Sequence, residues 1–129
     1  MADNPHISIG NAENFPDTRG WFVGSFLTDS AGLRRTDKVE VKWSVHPAGD
    51  RRVDVAEPSG TSTLTILISG RFEVTYPSQT PERSLLIKQG DYAVFGPDVP
   101  HTWQALEESV ILTVRWREDA ETGAHSSRA

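Results

Sequence analysis

The sequence contains no cysteine, and this absence removes several mechanisms at once. Disulfide bonds, zinc sites built from thiolates and catalysis by a thiol nucleophile are all excluded. Long apolar runs are also missing, since no stretch approaches the ~18 consecutive apolar residues of a membrane-spanning helix. Residues 1–15 lack the basic region and the apolar core of a secretory signal. We therefore expect a cytoplasmic protein without a membrane partner.

Basic residues are fewer than acidic ones, with 13 Lys and Arg against 18 Asp and Glu and a net charge of −5. A nucleic-acid partner is not expected, because binding to a phosphate backbone needs a basic surface. The G-x-S-x-G nucleophile elbow, the phosphate-binding loop and the dinucleotide-binding glycine pattern are absent as well. Serine-hydrolase and nucleotide-dependent chemistry are therefore not expected.

The chain of 129 residues fits a single domain, because domains of about 100–150 residues are the commonest size. We assign this domain to residues 1–116, which carry the regular apolar patterning. Residues 117–129 are polar and show no periodicity, and this composition predicts a disordered C-terminal tail.

Period-two alternation dominates the sequence and predicts β-strands, whereas helix signals are nearly absent. In the clearest strand, residues 39–46, apolar residues alternate with Glu40, Lys42, Ser44 and His46. The simplest interpretation turns this polar side to solvent, and a polar interior is the alternative. Further strands are predicted at residues 21–27, 51–57, 62–69, 71–76, 84–88, 92–95, 101–105 and 109–116, with glycine and proline in the turns between them.

This many short strands predict an all-β sandwich or barrel, because only face-packed or closed sheets bury so many apolar faces. The pattern does not distinguish a jelly roll from an immunoglobulin-like sandwich or a lipocalin-like barrel. Two longer motifs are needed for that choice.

The segment Gly90–His101 (GDYAVFGPDVPH) resembles the second motif of the cupin superfamily. In that motif a glycine is followed six residues later by a turn proline, and five residues after that by a metal-binding histidine. Gly90 takes the glycine position, Gly96 the turn position with Pro97 displaced by one, and His101 the histidine position. The resemblance implies a cupin-type jelly-roll β-sandwich or barrel, also described as a double-stranded β-helix.

The frame of the first cupin motif is visible between Gly49 and Gly70, but with other side chains. Val55 and Glu57 stand where the family has two histidines, and Thr63 stands where it has a glutamate. Three of the four usual metal ligands are therefore substituted. The resemblance implies a degenerate metal site within a family whose pockets bind small molecules.

Two credible metal donors remain, His101 and Glu57, and His46 becomes a third if its strand faces the pocket. Stable sites usually use three or four protein donors. We therefore expect no tightly bound metal. The alternative is a divalent ion (Fe, Mn, Ni or Zn) held by His101, Glu57 and His46.

His101 and Glu57 are the candidate catalytic residues. The resemblance places His101 inside the pocket, where an imidazole can act as a general acid or base near neutral pH. An inward Glu57 would pair with His101 or share a proton with it. The alternatives are a structural histidine whose ring is satisfied by the backbone, and an exposed carboxylate.

Five residues are candidate ligand contacts. Trp103 shares a strand face with His101 and offers a flat wall, with core packing as the alternative. An inward Arg115 would suit a substrate carboxylate, which a guanidinium binds through two parallel hydrogen bonds. The others are Thr63 and Val55, at motif positions, and His46.

The leading hypothesis is a pocket for a small organic ligand, with metal-independent proton transfer, isomerisation or cyclisation by His101 in specialised metabolism. The alternatives are a divalent-metal-dependent enzyme and a non-catalytic ligand-binding or sensing module. The resemblance also implies a homodimer in which residues 21–27 cross to the partner.

Overall fold

The computed structural model describes residues 4–55 and 60–117, and this part of the chain is all-β, as predicted. Three short 3₁₀ helices lie there, and none has the length and apolar character that a membrane-spanning helix needs. They span Ala12–Asn14, Pro16–Thr18 and Asp29–Arg34. The strands are β1 (Trp21–Val23), β2 (Val39–His46), β3 (Thr61–Ser69), β4 (Phe72–Thr75), β5 (Arg83–Leu86), β6 (Tyr92–Phe95), β7 (Thr102–Ala105) and β8 (Ser109–Arg117).

The strands form two antiparallel sheets that pack face to face. The larger sheet has the order β1-β2-β8-β3-β6, and the smaller has the order β5-β4-β7. Leu67 and Ile111 of the larger sheet share one buried cluster with Phe72 and Val74 of the smaller sheet. The predicted β-sandwich is confirmed. Both sheets are open within the described residues, so the structure does not show a closed barrel.

The strand predicted over residues 21–27 is wrong beyond Val23, where β1 ends. The Leu27 amide donates a hydrogen bond to the carbonyl of Gly24 at 3.4 Å, so the chain reverses there. Leu27 is buried, and the Phe26 ring packs edge-on against the tryptophan of β1 at a centroid distance of 5.9 Å. These residues are apolar because the turn packs onto the protein. β1 itself pairs with β2 of the same chain.

The strand predicted over residues 51–57 is not present in residues 51–55. Arg51 makes one isolated bridge to β7, and the Arg52 amide donates to a β7 carbonyl at 3.0 Å. The Arg52 carbonyl accepts a hydrogen bond from the Thr102 hydroxyl at 2.7 Å and not from a backbone amide, so the ladder does not continue. Glu57 lies outside the described residues.

The other strands begin and end within two residues of their predicted bounds, and β2 and β6 match them. β8 continues to Arg117, one residue beyond the predicted limit of the domain. The predicted tail beyond it, residues 118–129, lies outside the described residues.

The polar side of β2 faces inward, opposite to the simplest interpretation of its sequence. Lys42, Ser44 and His46 line an interior cavity, whereas Val45 on the other side is 55% exposed. In the β2–β8 register His46 lies opposite Ser109, which is fully buried. This pairing turns the polar side of β2 toward the smaller sheet. Polar side chains are tolerated there because they have hydrogen-bonding partners or face the cavity.

The strand register divides the inner face of the larger sheet into a polar part and an apolar part. Arg115 of β8 lies between Glu40 of β2 and Thr63 of β3. Four residues earlier in β8, Ile111 pairs with Leu67, and both belong to the buried core. One part of this face therefore packs in the core, and another part forms a polar wall of the cavity.

A close backbone approach at Gly70 holds the β3–β4 turn against the start of β8. Gly70 has a φ of +101°, and a Cβ there would collide with the carbonyl oxygen of Glu108 and with the Ser109 side chain. The Ser109 hydroxyl accepts a hydrogen bond from the Arg71 amide at 3.1 Å and donates one to the Glu107 carbonyl at 2.8 Å. One buried hydroxyl therefore joins two turns.

We expect Gly70→Ala to lower the free energy of unfolding by about 2–4 kcal/mol, because the new methyl group meets backbone at a positive φ. Gly90→Ala is the matched control, since Gly90 has a φ of +93° but nothing within 4 Å of an added Cβ. It should cost only about 1–2 kcal/mol. Urea unfolding measures both, and equal losses would contradict a rigid close approach at Gly70.

Candidate functional site

A cavity of about 290 Å³ lies between the two sheets, next to the apolar core. Its volume is at the small end of ligand pockets, which typically enclose about 300–1,000 Å³. Histidine, aromatic and cationic side chains converge on it from both sheets and from the loop after β2. Five residues predicted from the sequence are among those that line it: His46, Thr63, His101, Trp103 and Arg115.

His101 lies just before β7, after the turn of residues 96–100, and its half-buried ring lines the cavity. Nδ1 is 3.2 Å from the Val99 carbonyl oxygen. A carbonyl only accepts, so Nδ1 carries the proton and Nε2 keeps the lone pair. Burial lowers the pKa of His101, the Val99 hydrogen bond opposes this, and the charges of Arg52 and Arg115 lower the pKa further. The imidazole is therefore neutral near neutral pH, and Nε2 can accept a proton.

Both ring nitrogens of His46 already have partners. Nδ1 lies 2.7 Å from Oδ2 of Asp50, and Nε2 lies 3.0 Å from Oγ of Ser44. The ring is also held between aromatic side chains, with centroids 4.6 Å from Trp103 and 5.5 Å from Phe72. His46 is thus fixed in place, and neither nitrogen is available to a ligand without breaking one of these bonds.

The donor set among the described residues does not fit a metal ion. Within residues 4–55 and 60–117, no group of three or more His, Asp or Glu side chains could hold one. His101 and His46 line the same cavity, but the nitrogens of His46 are engaged. Thr63 lines the cavity with a neutral hydroxyl, while Val55 is 43% exposed and lies outside the cavity wall. The remaining predicted donor, Glu57, lies outside the described residues.

Aromatic rings form the apolar part of the cavity wall. Trp103 stacks on Phe72 with a centroid distance of 5.4 Å and an interplanar angle of 25°. Trp21 of β1 lies beneath the Arg115 guanidinium, 4.2 Å from the ring centroid. The cation therefore lies over the face of the indole ring, the arrangement of a cation–π contact.

Three cationic side chains, Lys42, Arg52 and Arg115, line the cavity. Arg115 is paired with Glu40 at 2.8 Å, whereas no ion pair among the described residues includes Lys42 or Arg52. Burial lowers the pKa of Lys42, and the positive charges of Arg19, Arg115 and Arg52 lower it further. The cavity therefore carries more positive than negative charge among these residues.

Three residues that were not predicted from the sequence also line the cavity: Lys42, Arg52 and Trp21. Lys42 shares a face of β2 with His46, so an inward assignment of His46 would have found it. Arg52 comes from a loop whose path depends on hydrogen bonds to β7, and no local pattern marks it. Trp21 begins an apolar run without alternation, so its direction could not be assigned.

No protein-family model matches the chain, and no curated protein is similar to it in sequence. Solved structures are similar in fold. A cupin protein from Bacteroides fragilis is 19% identical with a TM-score of 0.56, over 73% of this chain and 75% of that chain. A cupin superfamily protein from Desulfitobacterium hafniense is also 19% identical with a TM-score of 0.56, over 67% and 73%. A transcriptional regulator from Vibrio cholerae is 19% identical with a TM-score of 0.54, over 64% of this chain and 44% of the regulator.

Structural similarity at such low sequence identity shows a shared fold but not a shared activity. The shared fold agrees with the fold that the motif ending at His101 implies. The predicted resemblance is confirmed, and this chain has the fold of the cupin superfamily.

Proposed function

We propose that the chain binds a small organic ligand in this cavity and that His101 acts on it as a general base, without a metal ion. The proposal rests on the neutral imidazole of His101, whose Nε2 can accept a proton. The ring lines the cavity, its Nδ1–H is held by the Val99 carbonyl, and Nε2 keeps the lone pair. A positioned base of this kind removes a proton in the transition state. Isomerisation and ring closure are the reaction classes that follow from such proton transfers.

The walls of the cavity support this chemistry. The rings of Phe72 and Trp103 provide an apolar surface that a flat ligand can cover, which reduces the water around the base. Thr63 and Thr65 are buried and add neutral hydroxyls to the same cavity. A small ligand would thus meet one base, a flat wall and a few polar contacts. The proposed location is the cytoplasm, and the proposed role lies in specialised metabolism, as the sequence predicts.

The probe 5-nitrobenzisoxazole tests the base without knowledge of the natural substrate. When a base takes its ring C–H proton, the N–O bond breaks and a coloured phenolate with a nitrile forms. His101→Gln should lower this rate about tenfold or more, because general bases contribute roughly 10²–10⁴-fold. The matched control is His6→Gln, since His6 is exposed and is not part of the cavity wall.

The pH profile of the same reaction provides a second readout. The rate should rise with pH through the pKa of His101, and the half-maximal rate should fall below the ordinary histidine pKa of about 6.5, because burial favours the neutral ring. Equal rates for wild type and His101→Gln would remove the catalytic role.

The metal-dependent alternative requires Glu57 and a break in the hydrogen bonds of His46. We expect protein purified without chelator to contain far less than one equivalent of Fe, Mn, Ni or Zn by elemental analysis. Added metal should give no rise in Tm, since an ion that bound the folded state would stabilise it. One full equivalent, lost in Glu57→Gln, would instead establish the metal-dependent enzyme.

A second candidate function is ligand sensing without turnover. It is favoured by the similarity to the Vibrio cholerae transcriptional regulator, of which this chain covers 44%. The two functions differ in one observation. A sensing module would gain thermal stability from its ligand and form no product, whereas an enzyme would convert the ligand.

The homodimer predicted from the resemblance is supported by the outer face of the larger sheet. Val45, Tyr92 and Val94 on this face are 55%, 66% and 54% exposed. The register continues the apolar surface between them through Trp43 and Leu112. A second copy would present the same uncharged face, as a twofold interface requires.

Light scattering should give a mass twice that of one chain. Val94→Lys should shift the protein toward monomer, because it places a charge in the proposed interface. Leu85→Lys, at a position 45% exposed on β5 of the smaller sheet, should remain dimeric. A wild-type monomer at working concentration would exclude the dimer.

A further inference from the structure

We infer that the ligand of this cavity is a small organic carboxylate, bound by Lys42 and Arg52 together with Arg115. The inference rests on the proposed function, because it names the ligand class of the same cavity. The three cations come from different parts of the chain: β2, the loop after β2, and β8. The fold brings them together around a cavity of about 290 Å³.

The charge around the cavity is unbalanced among the described residues. Three cations line it, and one of them, Arg115, is paired with Glu40 at 2.8 Å. Three positive charges and one negative charge leave two positive charges, those of Lys42 and Arg52. The nearby carboxylate of Asp50 is bound to His46 at 2.7 Å and does not line the cavity. An anionic ligand would offset this excess.

Lys42 is the residue that an anion would stabilise most. Its amine is partly buried and has Arg19, Arg52 and Arg115 as positive neighbours, and these effects lower its pKa. Its ammonium also lies over the Trp21 ring, 5.4 Å from the centroid. A cation in such surroundings is poorly solvated and repelled by its neighbours. A carboxylate oxygen beside it would replace the missing hydration and the missing counter-charge.

Arg115 provides a positive charge that is already held in place at the cavity wall. Its NH2 group pairs with Glu40, and its guanidinium lies over Trp21 at 4.2 Å. Its Nε–H is buried without a hydrogen-bond partner among the described residues. This nitrogen is closed off from the cavity, so Arg115 would act on a carboxylate through its positive charge, which the contacts with Glu40 and Trp21 hold in place.

The apolar part of the cavity wall indicates which kind of group is attached to the carboxylate. Rings of Trp21, Phe72 and Trp103 and the side chain of Val74 line the cavity beside the cations. Such a wall favours a flat or apolar group attached to the carboxylate. Inorganic phosphate would use the cations but leave this surface uncovered. The small volume also excludes ligands the size of a nucleotide.

Benzoate and benzamide form a matched pair of probes, because they have nearly the same shape and differ in charge. We expect wild-type protein to bind benzoate about tenfold or more tightly than benzamide, the effect of one charge-assisted hydrogen bond. Indole N–H signals in NMR locate the site. Those of Trp21 and Trp103 should shift on titration, and that of Trp43, on the outer face, should not.

Lys42→Met keeps the unbranched stem and removes the charge, so the preference for benzoate should fall about tenfold while benzamide still binds. Arg52→Met should reduce the preference as well, which provides a second variant if the first is unstable. Lys88→Met is the control, since Lys88 is exposed and lies outside the cavity wall. It changes the net charge equally and should leave the preference intact.

The outcomes separate this inference from the proposed function. Equal affinity of benzoate and benzamide, an unchanged preference in both cavity variants, or phosphate binding as tightly as benzoate would overturn the carboxylate assignment and leave the ligand-binding cavity in place. If neither probe binds and the Trp21 and Trp103 signals stay fixed, both the carboxylate assignment and the binding function are overturned.

Discussion

The pairing of β8 between β2 and β3 is the constraint on which the core and the cavity both depend. Each inward side chain of β8 is flanked by inward side chains from two other strands. Ile111 therefore packs against Leu67 in the core. Arg115 lies beside Glu40 and Thr63 in the polar part of the same face. A shift of one residue in this register would exchange the two faces of β8. Fold stability and site geometry are therefore set by the same hydrogen-bond ladder.

Some polar groups between the two sheets have hydrogen-bonding partners within the protein, and others remain free to bind a ligand. His46 is held by Asp50 and Ser44, and this bonding fixes it in place. By contrast, the described residues provide no ion-pair partner for Lys42, and the Nδ1 contact of His101 leaves Nε2 as an acceptor. The unsatisfied groups are the ones that can act on a ligand.

The cavity contains the histidine of the cupin-like motif, but the described residues around it do not form a set of metal donors. His101 remains at the end of the motif, but the described positions that would complete a donor set hold a threonine and an exposed valine. The cavity adds cations and aromatic rings instead. Such a wall suits an anionic organic molecule better than a divalent cation, since like charges repel. A shared fold does not determine the chemistry of its site, which has to follow from the residues that line it.

The sequence alone determined where most strands lie, through alternation and through turns rich in glycine and proline, and its motif placed His101 at the cavity. It did not determine which side of β2 is buried, because a period of two defines two faces without ranking them. That choice came from pairing with β8 and from packing against the smaller sheet. Likewise, only tertiary hydrogen bonds to β7 brought Arg52 to the cavity, since no local pattern fixes the path of a loop.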